Sequence, residues 1–231
     1  MPAPAPAWLN NLPRHRLMGE FSMWSADLIH LADDLARIEG HADLLHVDVA
    51  DGHFATAMLF FPDLVARMRV ATAVPIHVHL MVADSILISQ IEQFAEAGAD
   101  LISIHVENQA LADDALDRLE ALGLASGMVL KVETPVDQVV PYLDRLDFVT
   151  LLGTGIGVKG QGLDPQATTR LRAAGEHIAR SGRPIVLAAD GGIREHTVPL
   201  LRQAGANTVV LGSLAFGAPD LGARLDWLHR L

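Results

Sequence analysis

Histidine and aspartate side chains recur at alternate positions in two short apolar segments of the chain. The segment LHVDV carries His46 and Asp48, the segment IHVHL carries His77 and His79, and a third segment, AAD, ends at Asp190. Side chains two residues apart lie on the same face of a strand, so each pair shares a face. If these faces point to one place, the side chains that converge there are His46, Asp48, His79 and Asp190.

Two imidazoles and two carboxylates form a ligand set for a divalent ion such as Zn, Mn, Fe or Co. The chain has no cysteine, so nitrogen and oxygen atoms are the ligands available to it. A histidine in an apolar strand is more often a hydrogen-bonded core residue. The pattern alone therefore leaves open whether these histidines are core residues or ligands and catalytic groups. Burying several ionisable groups is costly unless they pair or bind a metal, which keeps the metal or catalytic interpretation in play.

These segments belong to a regular series of short apolar runs separated by helical patterns. Each run has about four to six residues and is bounded by Gly, Pro or Asp, which is typical of buried strands. The predicted strands cover 16–21, 44–49, 76–80, 101–106, 127–132, 148–152, 184–188 and 208–211. Apolar residues at helical spacing predict helices over 27–38, 86–97, 110–122, 136–143, 166–180, 198–204 and 220–231.

Eight strands alternating with about eight helices predict parallel βαβ units. Eight such units in 231 residues fit a compact (β/α)8 TIM barrel. A doubly wound sheet shows the same alternation and is the alternative. No linker interrupts the pattern, so we expect a single barrel domain over 16–231, preceded by an N-terminal extension over 1–15.

The composition excludes several classes of protein. Half of the residues are hydrophobic and 19% are charged, which is too apolar for a disordered chain. No apolar run reaches the roughly 20 residues of a membrane helix, and prolines break the N-terminal segment where a signal peptide needs a continuous apolar core. A net charge of −11 offers no basic face for nucleic acid. We therefore expect a cytoplasmic protein with neither a membrane nor a nucleic-acid partner.

Glycines follow the last predicted strands, where many barrels bind phosphate. Gly191 and Gly192 come after strand seven, and Gly212 and Ser213 come after strand eight. Glycine lets backbone N–H groups approach an anion closely, although it also commonly begins an ordinary turn. A third loop, GTGIGVKGQG over 153–162, follows strand six and has the length of a flexible lid, with a mobile turn as the alternative.

The same segments resemble the motifs of the ribulose-phosphate 3-epimerase family. LLHVDVADGHF is similar to the family's strand-two motif, HVHLMV to its strand-three motif, and FSMWSAD to its N-terminal Pro-Ser-Ile-Leu-Ser-Ala-Asp. AGADLISIHVE, TPV, ADGGI and AGANTVVLGSLAFG follow in the family's order, so the resemblance spans about residues 16 to 217. It implies a TIM barrel of the ribulose-phosphate-binding type and a homo-oligomer, either a dimer or a hexamer.

The resemblance also implies a reaction. The substrate would be a ketose phosphate such as ribulose 5-phosphate or xylulose 5-phosphate, with its phosphate on the glycine loops. Asp48 and Asp190 would remove the C3 proton and return one to the opposite face through an enediolate, since inversion needs one group on each face. One divalent metal ion would be held by His46, Asp48, His79 and Asp190. The expected substrate contacts are Ser22, His79, Met81, Lys131, Gly157, Gly160, Gly191, Gly192, Gly212 and Ser213.

Several positions depart from the family's pattern around the expected substrate. Ala50 and Leu152 stand where the family usually has methionine, and His77 stands where aspartate is common. Lys131 ends strand five where Asn-Pro is usual, and Lys159 lies in an altered strand-six loop. Both lysines are candidate cations near an anionic ligand, with ordinary surface lysines as the alternative. These changes surround the substrate and leave its identity open.

Other functions therefore remain open. The same epimerisation could act on allulose 6-phosphate or on a four-carbon ketose phosphate. A lyase or decarboxylase on a related barrel would also use Asp, His and Lys at strand ends, with Lys131 as its candidate. A catalytically silent phosphosugar-binding protein is a further alternative, although such a site has no reason to keep paired buried charges. The apolar segment MLFF over 58–61 could form an interface or cover the mouth.

Overall fold

Eight parallel strands close into a barrel in the computed structural model, which describes residues 3–5 and 7–231. Consecutive strands pair side by side, and β1 pairs with both β2 and β8, which closes the cylinder. This confirms the predicted TIM barrel, because a doubly wound sheet would leave its two outer strands unpaired. The barrel strands are β1 (Met18–Ser22), β2 (Leu44–Asp51), β3 (Ile76–Met81), β4 (Leu101–His105), β5 (Ala125–Leu130), β6 (Phe148–Leu152), β7 (Val186–Asp190) and β8 (Thr208–Leu211). An additional two-residue strand, Met58–Leu59, pairs antiparallel with the end of β2.

Helices on the outside alternate with the strands. The α-helices are α1 (Leu31–Ile38), α2 (Pro62–Ala71), α3 (Asp84–Glu96), α4 (Ala112–Ala121), α5 (Ala167–Ser181), α6 (Val198–Gln203), α7 (Ser213–Phe216) and α8 (Leu221–His229). Short 3-10 helices cover Trp8–Asn11, Met23–Ser25, Gln109–Leu111 and Val136–Arg145. Within the described ranges, no helix combines the length and the apolar character needed to cross a membrane.

Some outer elements differ from the sequence-based expectation. Helices α2 and α7 lie outside the predicted helices; α2 begins at Pro62, and proline is favourable in the first turn of a helix. The segment predicted as a helix over 136–143 is a 3-10 helix, Val136–Arg145. Pro141 lies inside it and lacks the N–H group that a regular α-helix would use there.

Two strands are displaced by two residues from their predicted positions. Strand β5 spans Ala125–Leu130 rather than 127–132, so Lys131 follows the strand instead of belonging to it. Strand β7 spans Val186–Asp190 rather than 184–188, so Asp190 is the last residue of the strand. The carboxyl end of a barrel strand is where active-site residues lie, which places Asp190 at the mouth.

Inward-facing side chains form layers along the barrel axis. The floor is apolar and is closed from below by Trp8, Leu9 and Leu12 of the predicted extension. Met1, Pro2 and Pro6 of that extension lie outside the described residues. The next inward positions along the strands carry polar side chains, because alternate residues of a strand share a face. The floor residues are Met18, Leu44, Leu101, Phe148 and Val186, and the polar layer above them holds Glu20, His46, His77, Ser103 and Thr150.

The apolar segment over 58–61 lies on the outer surface, beside α1 and α2. Met58 is 82% exposed and Phe61 is 59% exposed. Both line an outer groove together with Ile29, and neither lines the cavity at the barrel mouth. The segment was expected either to form an interface or to cover the mouth, and its position on the outer surface does not favour the second role.

One buried arginine ties helix α2 to the barrel. Arg69 is 3% exposed, and its Nη1 donates to Asp100 Oδ2 at 2.7 Å. Its Nη2 donates to the backbone carbonyls of Thr72 and Val74. The same Asp100 oxygen also accepts the N–H of Ile76 at the start of β3. The guanidinium therefore satisfies three acceptors on two segments, the loop after α2 and the residue that precedes β4.

We predict that Arg69→Met lowers the free energy of unfolding by about 3 kcal/mol, because it leaves a partly buried carboxylate and two carbonyls without their donor. Urea denaturation followed by tryptophan fluorescence measures this. Arg67→Met is the matched control, since Arg67 is exposed on the same helix and its replacement should change stability by no more than about 0.5 kcal/mol. Equal stability of the two variants would contradict the assignment.

Candidate active site

Four side chains from three strands meet at the carboxyl ends of the barrel strands. His79 of β3 lies in register with Asp48 of β2, and its Nδ1 is 3.2 Å from Asp48 Oδ1. His46 Nε2 is 3.3 Å from the same oxygen. Asp190 reaches in from β7, and its Oδ2 is 3.9 Å from each of these two nitrogens. The structure thus brings together the four side chains that the sequence pattern placed at one site.

The donor atoms of this cluster fit a divalent metal ion. One nitrogen or oxygen atom from each of the four residues lies within 4.8 Å of the others. His46 Nε2 is buried and has no hydrogen-bond partner among the described residues, although carboxylate oxygens lie 3.3 and 3.9 Å away. A buried polar atom without a partner is costly, and a cation bound between two imidazoles and two carboxylates would satisfy it.

The surroundings give the two central carboxyl groups different proton affinities. Burial raises the pKa of Asp48, but His46 and then His79 outweigh this effect and hold that pKa far below its usual range. Burial also raises the pKa of Asp190; His46 opposes this and the Asp48 charge adds to it, so that the pKa reaches about 6. A pair of carboxyl groups whose pKa values are pushed apart is suited to acid–base chemistry.

Glu20 lies directly behind His46, and the sequence pattern gave it no role. Its Oε2 accepts a hydrogen bond from Nδ1 of His46 at 3.0 Å and another from Nδ1 of His77 at 2.6 Å. The far nitrogen of His77 pairs with the hydroxyl of Ser103 at 2.7 Å. A signal for Glu20 does exist in the sequence, because it is the one charged residue of MGEFS and shares a face with Ser22.

Glu20, His46 and His77 are also close enough together to hold an ion by themselves. The hydrogen bonds between them already occupy the atoms that face one another. Burial raises the pKa of Glu20, but the two histidines outweigh it and keep this carboxyl ionised. We therefore interpret these three residues as a hydrogen-bonded support for the cluster rather than as a second metal centre.

A second support lies behind His79, and the sequence pattern missed it as well. His79 Nε2 is 2.8 Å from His105 Nε2, and His105 Nδ1 is 2.9 Å from Glu107 Oε2. Burial lowers the pKa of His105 to about 4. The segment LISIHVE contains both residues, but the contact depends on the stagger between β3 and β4, which the sequence does not display.

A cavity of about 390 Å³ opens above the cluster at the barrel mouth. Its volume lies in the range of small-molecule sites. Every predicted substrate contact lines it except Lys131, and His46 lies buried behind it. The lining residues from the prediction are Ser22, Asp48, His79, Met81, Gly157, Gly160, Asp190, Gly191, Gly192, Gly212 and Ser213, and further ones are Trp24, Leu152, Thr154, Lys159 and Arg194.

The two candidate lysines lie in different places. Lys159 lines the cavity, where its Nζ lies 4.5 Å from the centre of the Trp24 ring and donates to the backbone carbonyl of the same residue. Lys131 is not among the lining residues of the described chain, and its Nζ lies 3.9 Å from the centre of the Phe54 ring. Lys159 of the loop after β6 can therefore contact a ligand in this cavity. Lys131, which follows β5, contacts Phe54 instead.

The glycine pair after β7 lets two loops pack closely at the cavity edge. Gly191 and Gly192 have φ angles of +88° and +70°, which L side chains rarely adopt. A Cβ on Gly192 would lie 2.7 Å from the backbone of Leu163, and one on Gly191 would lie 2.3 Å from the hydroxyl oxygen of Thr154. The absence of side chains therefore lets the loops after β6 and β7 approach each other at the cavity edge, where both glycines line the cavity.

A closed parallel barrel with acid–base side chains at the ends of its strands defines this protein as a TIM-barrel enzyme. The model of the ribulose-phosphate 3-epimerase family matches residues 20–216, and the chain belongs to that family. Its members are isomerases, specifically epimerases, that act on sugar phosphates, so the expected family and enzyme class are confirmed.

Individual relatives agree with this assignment. The chain is 37% identical over 216 residues to ribulose-phosphate 3-epimerase 2 of Cupriavidus necator, an alignment that covers 91% of this chain and 89% of that protein. It is 33% identical over 207 residues to ribulose-phosphate 3-epimerase of Escherichia coli K12, covering 89% and 91%.

Solved structures of other enzymes share the fold. Orotidine 5'-phosphate decarboxylase from Pyrococcus horikoshii superposes with a TM-score of 0.66 at 13% identity, covering 92% of this chain and 97% of that one. A 3-hexulose-6-phosphate synthase gives a TM-score of 0.64 at 18% identity, covering 93% and 98%. At these identities the likeness concerns the barrel alone.

We predict that, in protein treated with chelator, the Asp190 carboxyl titrates near pH 6 while the Asp48 carboxyl stays ionised to far lower pH. Carbon-13 NMR of the carboxyl groups measures both, with Asp190→Asn identifying the resonance. A divalent ion should lower the Asp190 pKa, because a nearby positive charge favours the ionised form. Acidification through pH 6 should correspondingly weaken metal binding. A normal pKa for Asp190 before the metal is added would contradict the prediction.

Proposed function

We propose that this protein is a metal-dependent epimerase that inverts C3 of a ketose phosphate, with ribulose 5-phosphate and xylulose 5-phosphate as the first substrate pair. The observation that carries the proposal is the meeting of Asp48 and Asp190 with two histidines beneath a cavity of about 390 Å³. Curated relatives bear the name ribulose-phosphate 3-epimerase, which supports the same reaction.

Two carboxyl groups serve this reaction better than one. A single base that returned its own proton would restore the starting configuration, so inversion needs a proton donor on the opposite face. Asp48 is the ionised group, held by the hydroxyl of Ser22 at 3.0 Å, and Asp190 is the group with the higher proton affinity. We assign proton removal and proton return to this pair, with the two roles exchanged in the reverse reaction.

His46, Asp48, His79 and Asp190 would hold the divalent ion, which supplies Lewis-acid stabilisation of the negative charge that develops on the substrate oxygens. The zinc, manganese, iron and cobalt ions all suit this donor set. Because the Asp190 carboxyl must be ionised to hold the ion and its pKa lies at about 6, metal binding and with it activity should decline below about pH 6.

Part of the cavity lining suits a phosphate. Gly191, Gly192, Gly212 and Ser213 line the cavity after β7 and β8, the two loops that bind phosphate in many barrels. Lys159 and Arg194 also line it and supply positive charge. We propose that the phosphate binds here, with the C3 carbon directed toward the two aspartates.

Epimerisation of a different ketose phosphate is the second candidate function. Two residues of the cavity lining favour testing it. Leu152 and Lys159 line the space above the cluster, and both are departures from the family's usual residues. They leave the cluster unchanged and alter what surrounds the sugar. Allulose 6-phosphate and a four-carbon ketose phosphate are the alternatives to test. The lyase alternative depended on Lys131, which packs on Phe54 outside the cavity lining.

The proposed function predicts deuterium incorporation at C3, together with formation of the 3-epimer, when the metal-loaded protein meets its substrate in heavy water. The panel is ribulose 5-phosphate, xylulose 5-phosphate, allulose 6-phosphate and a four-carbon ketose phosphate, followed by NMR. A chelator should abolish the exchange, and Zn, Mn, Fe or Co should restore it. Cleavage of a carbon–carbon bond would favour the lyase, and binding without exchange would favour a silent protein. Either result refutes the proposal.

Replacing one carboxylate should separate exchange from inversion. We expect Asp48→Asn and Asp190→Asn each to slow epimerisation by about 10²–10⁴-fold, because an amide cannot carry the proton. The remaining carboxylate should still exchange the C3 proton of the epimer that it faces, so the two variants should label opposite epimers. Metal content is measured in parallel. Asp63→Asn is the control, because Asp63 is an exposed residue of α2. Labelling of the same epimer by both variants would contradict the two-group assignment.

A further inference from the structure

A chain of hydrogen-bonded side chains runs from His79 away from the cluster and ends at Glu107. It passes through His105, with contacts of 2.8 Å between the two Nε2 atoms and 2.9 Å between His105 Nδ1 and Glu107 Oε2. Both histidines are buried. Neither His105 nor Glu107 lines the cavity of the described chain, so they do not touch a ligand there.

The Glu107 end of the chain determines where the protons lie. Its Oε1 accepts the backbone N–H of Lys131 at 3.1 Å and the hydroxyl of Thr134. Burial raises the pKa of Glu107, but the hydrogen bonds from His105 and Thr134 outweigh it and lower that pKa to about 2. An ionised carboxylate accepts hydrogen bonds and donates none, so His105 carries a proton on Nδ1.

The contact between the two Nε2 atoms then fixes the tautomer of His79. Two imidazole nitrogens 2.8 Å apart share one proton, and a neutral His105 with its proton on Nδ1 has none to offer at Nε2. His79 therefore donates its Nε2–H, which makes Nδ1 the nitrogen that can bind an ion. Asp48 Oδ1 lies 3.2 Å from this Nδ1 and is an acceptor for a proton there, so a bound ion would displace any proton from Nδ1 while the proton on Nε2 stays. Nδ1 is also the nitrogen that faces Asp48 and Asp190.

We propose that Glu107 is a positioning residue of the metal site and acts through His105 to hold His79 in the tautomer whose Nδ1 can bind the ion. The inference rests on the metal site of the proposed function. Groups that hydrogen-bond the far nitrogen of a ligand histidine fix its orientation and its tautomer, and their loss typically weakens metal binding or activity 10- to 100-fold.

Glu107→Gln is the sharpest variant because it preserves shape and reverses one hydrogen bond. The N–H of Lys131 is a fixed backbone donor, so the amide oxygen should turn toward it. The amide NH₂ then faces His105 Nδ1, which must become an acceptor and carry its proton on Nε2. His79 Nε2 would then have to accept, whereas an ion on His79 Nδ1 requires the proton of His79 to stay on Nε2. When the variant binds the ion, two Nε2–H groups therefore face each other, which weakens binding.

Nitrogen-15 NMR of the histidine rings reads these tautomers directly in Zn²⁺-loaded protein, where the ion would take the Nδ1 position of His79. We expect the wild type to show His105 with its proton on Nδ1 and Glu107→Gln to show it on Nε2. Titration with Zn²⁺ or Co²⁺ should give a dissociation constant about 10- to 100-fold higher for Glu107→Gln. Glu133→Gln removes the same charge from an exposed position nearby and should match the wild type in both measurements.

The measurements distinguish a failure of the role of Glu107 from a failure of the proposed metal site. Wild-type protein with its His105 proton on Nε2, or a Glu107→Gln variant with unchanged His105 tautomer and unchanged affinity, would overturn the role of Glu107. Wild-type protein that binds neither Zn²⁺ nor Co²⁺ would overturn the metal site of the proposed function instead. Circular dichroism of each variant establishes that it is folded before either comparison is made.

Discussion

The structure depends on one electrostatic constraint: ionisable side chains lie inside a closed barrel, where each must find a partner. An isolated charge in such surroundings would be very costly, and its usual escape is to lose the charge. Here Glu20 lies between His46 and His77, and Asp48 lies between His46 and His79. The partnership is mutual, because each carboxylate is kept ionised by the histidines that it orients.

This arrangement needs the apolar parts of the fold around it. The floor excludes water from below through packed side chains such as Phe148 and Met18, with Trp8 beneath them. The ring of helices buries the outer faces of the strands, so the polar layer communicates with solvent through the mouth alone among the described surfaces. Low polarity strengthens the hydrogen bonds of the layer and raises the cost of leaving any of its atoms unpaired. Three side-chain atoms of the layer lack a partner among the described residues, namely Nε2 of His46, Oε1 of Glu20 and Oγ1 of Thr150, and the first of these lies beside the carboxylates of the cluster.

The geometry of the strands explains which parts of the site could be predicted from the sequence. Alternation within a strand is a local property, so His46 with Asp48 was readable as a pair, and the regular series of strands indicated the barrel that brings Asp190 to them. Contacts across strands depend on stagger, and the sequence does not display stagger. Glu20 and the His105–Glu107 pair were missed on that account. Lys131 was expected among the substrate contacts, but a two-residue displacement of β5 places it after the strand.

The acidic balance of the chain is compatible with an anionic ligand because charge acts locally. A net charge of −11 is distributed over the whole surface, where salt screens it beyond about 10 Å. The cavity at the mouth is lined by the cations Lys159 and Arg194, by glycines after β7 and β8, and by Asp48, His79 and Asp190 of the cluster, whose donor set suits a divalent ion. Under the proposed function, a phosphate over those glycines would meet the two cations, while the carbon to be inverted would meet the two carboxylates.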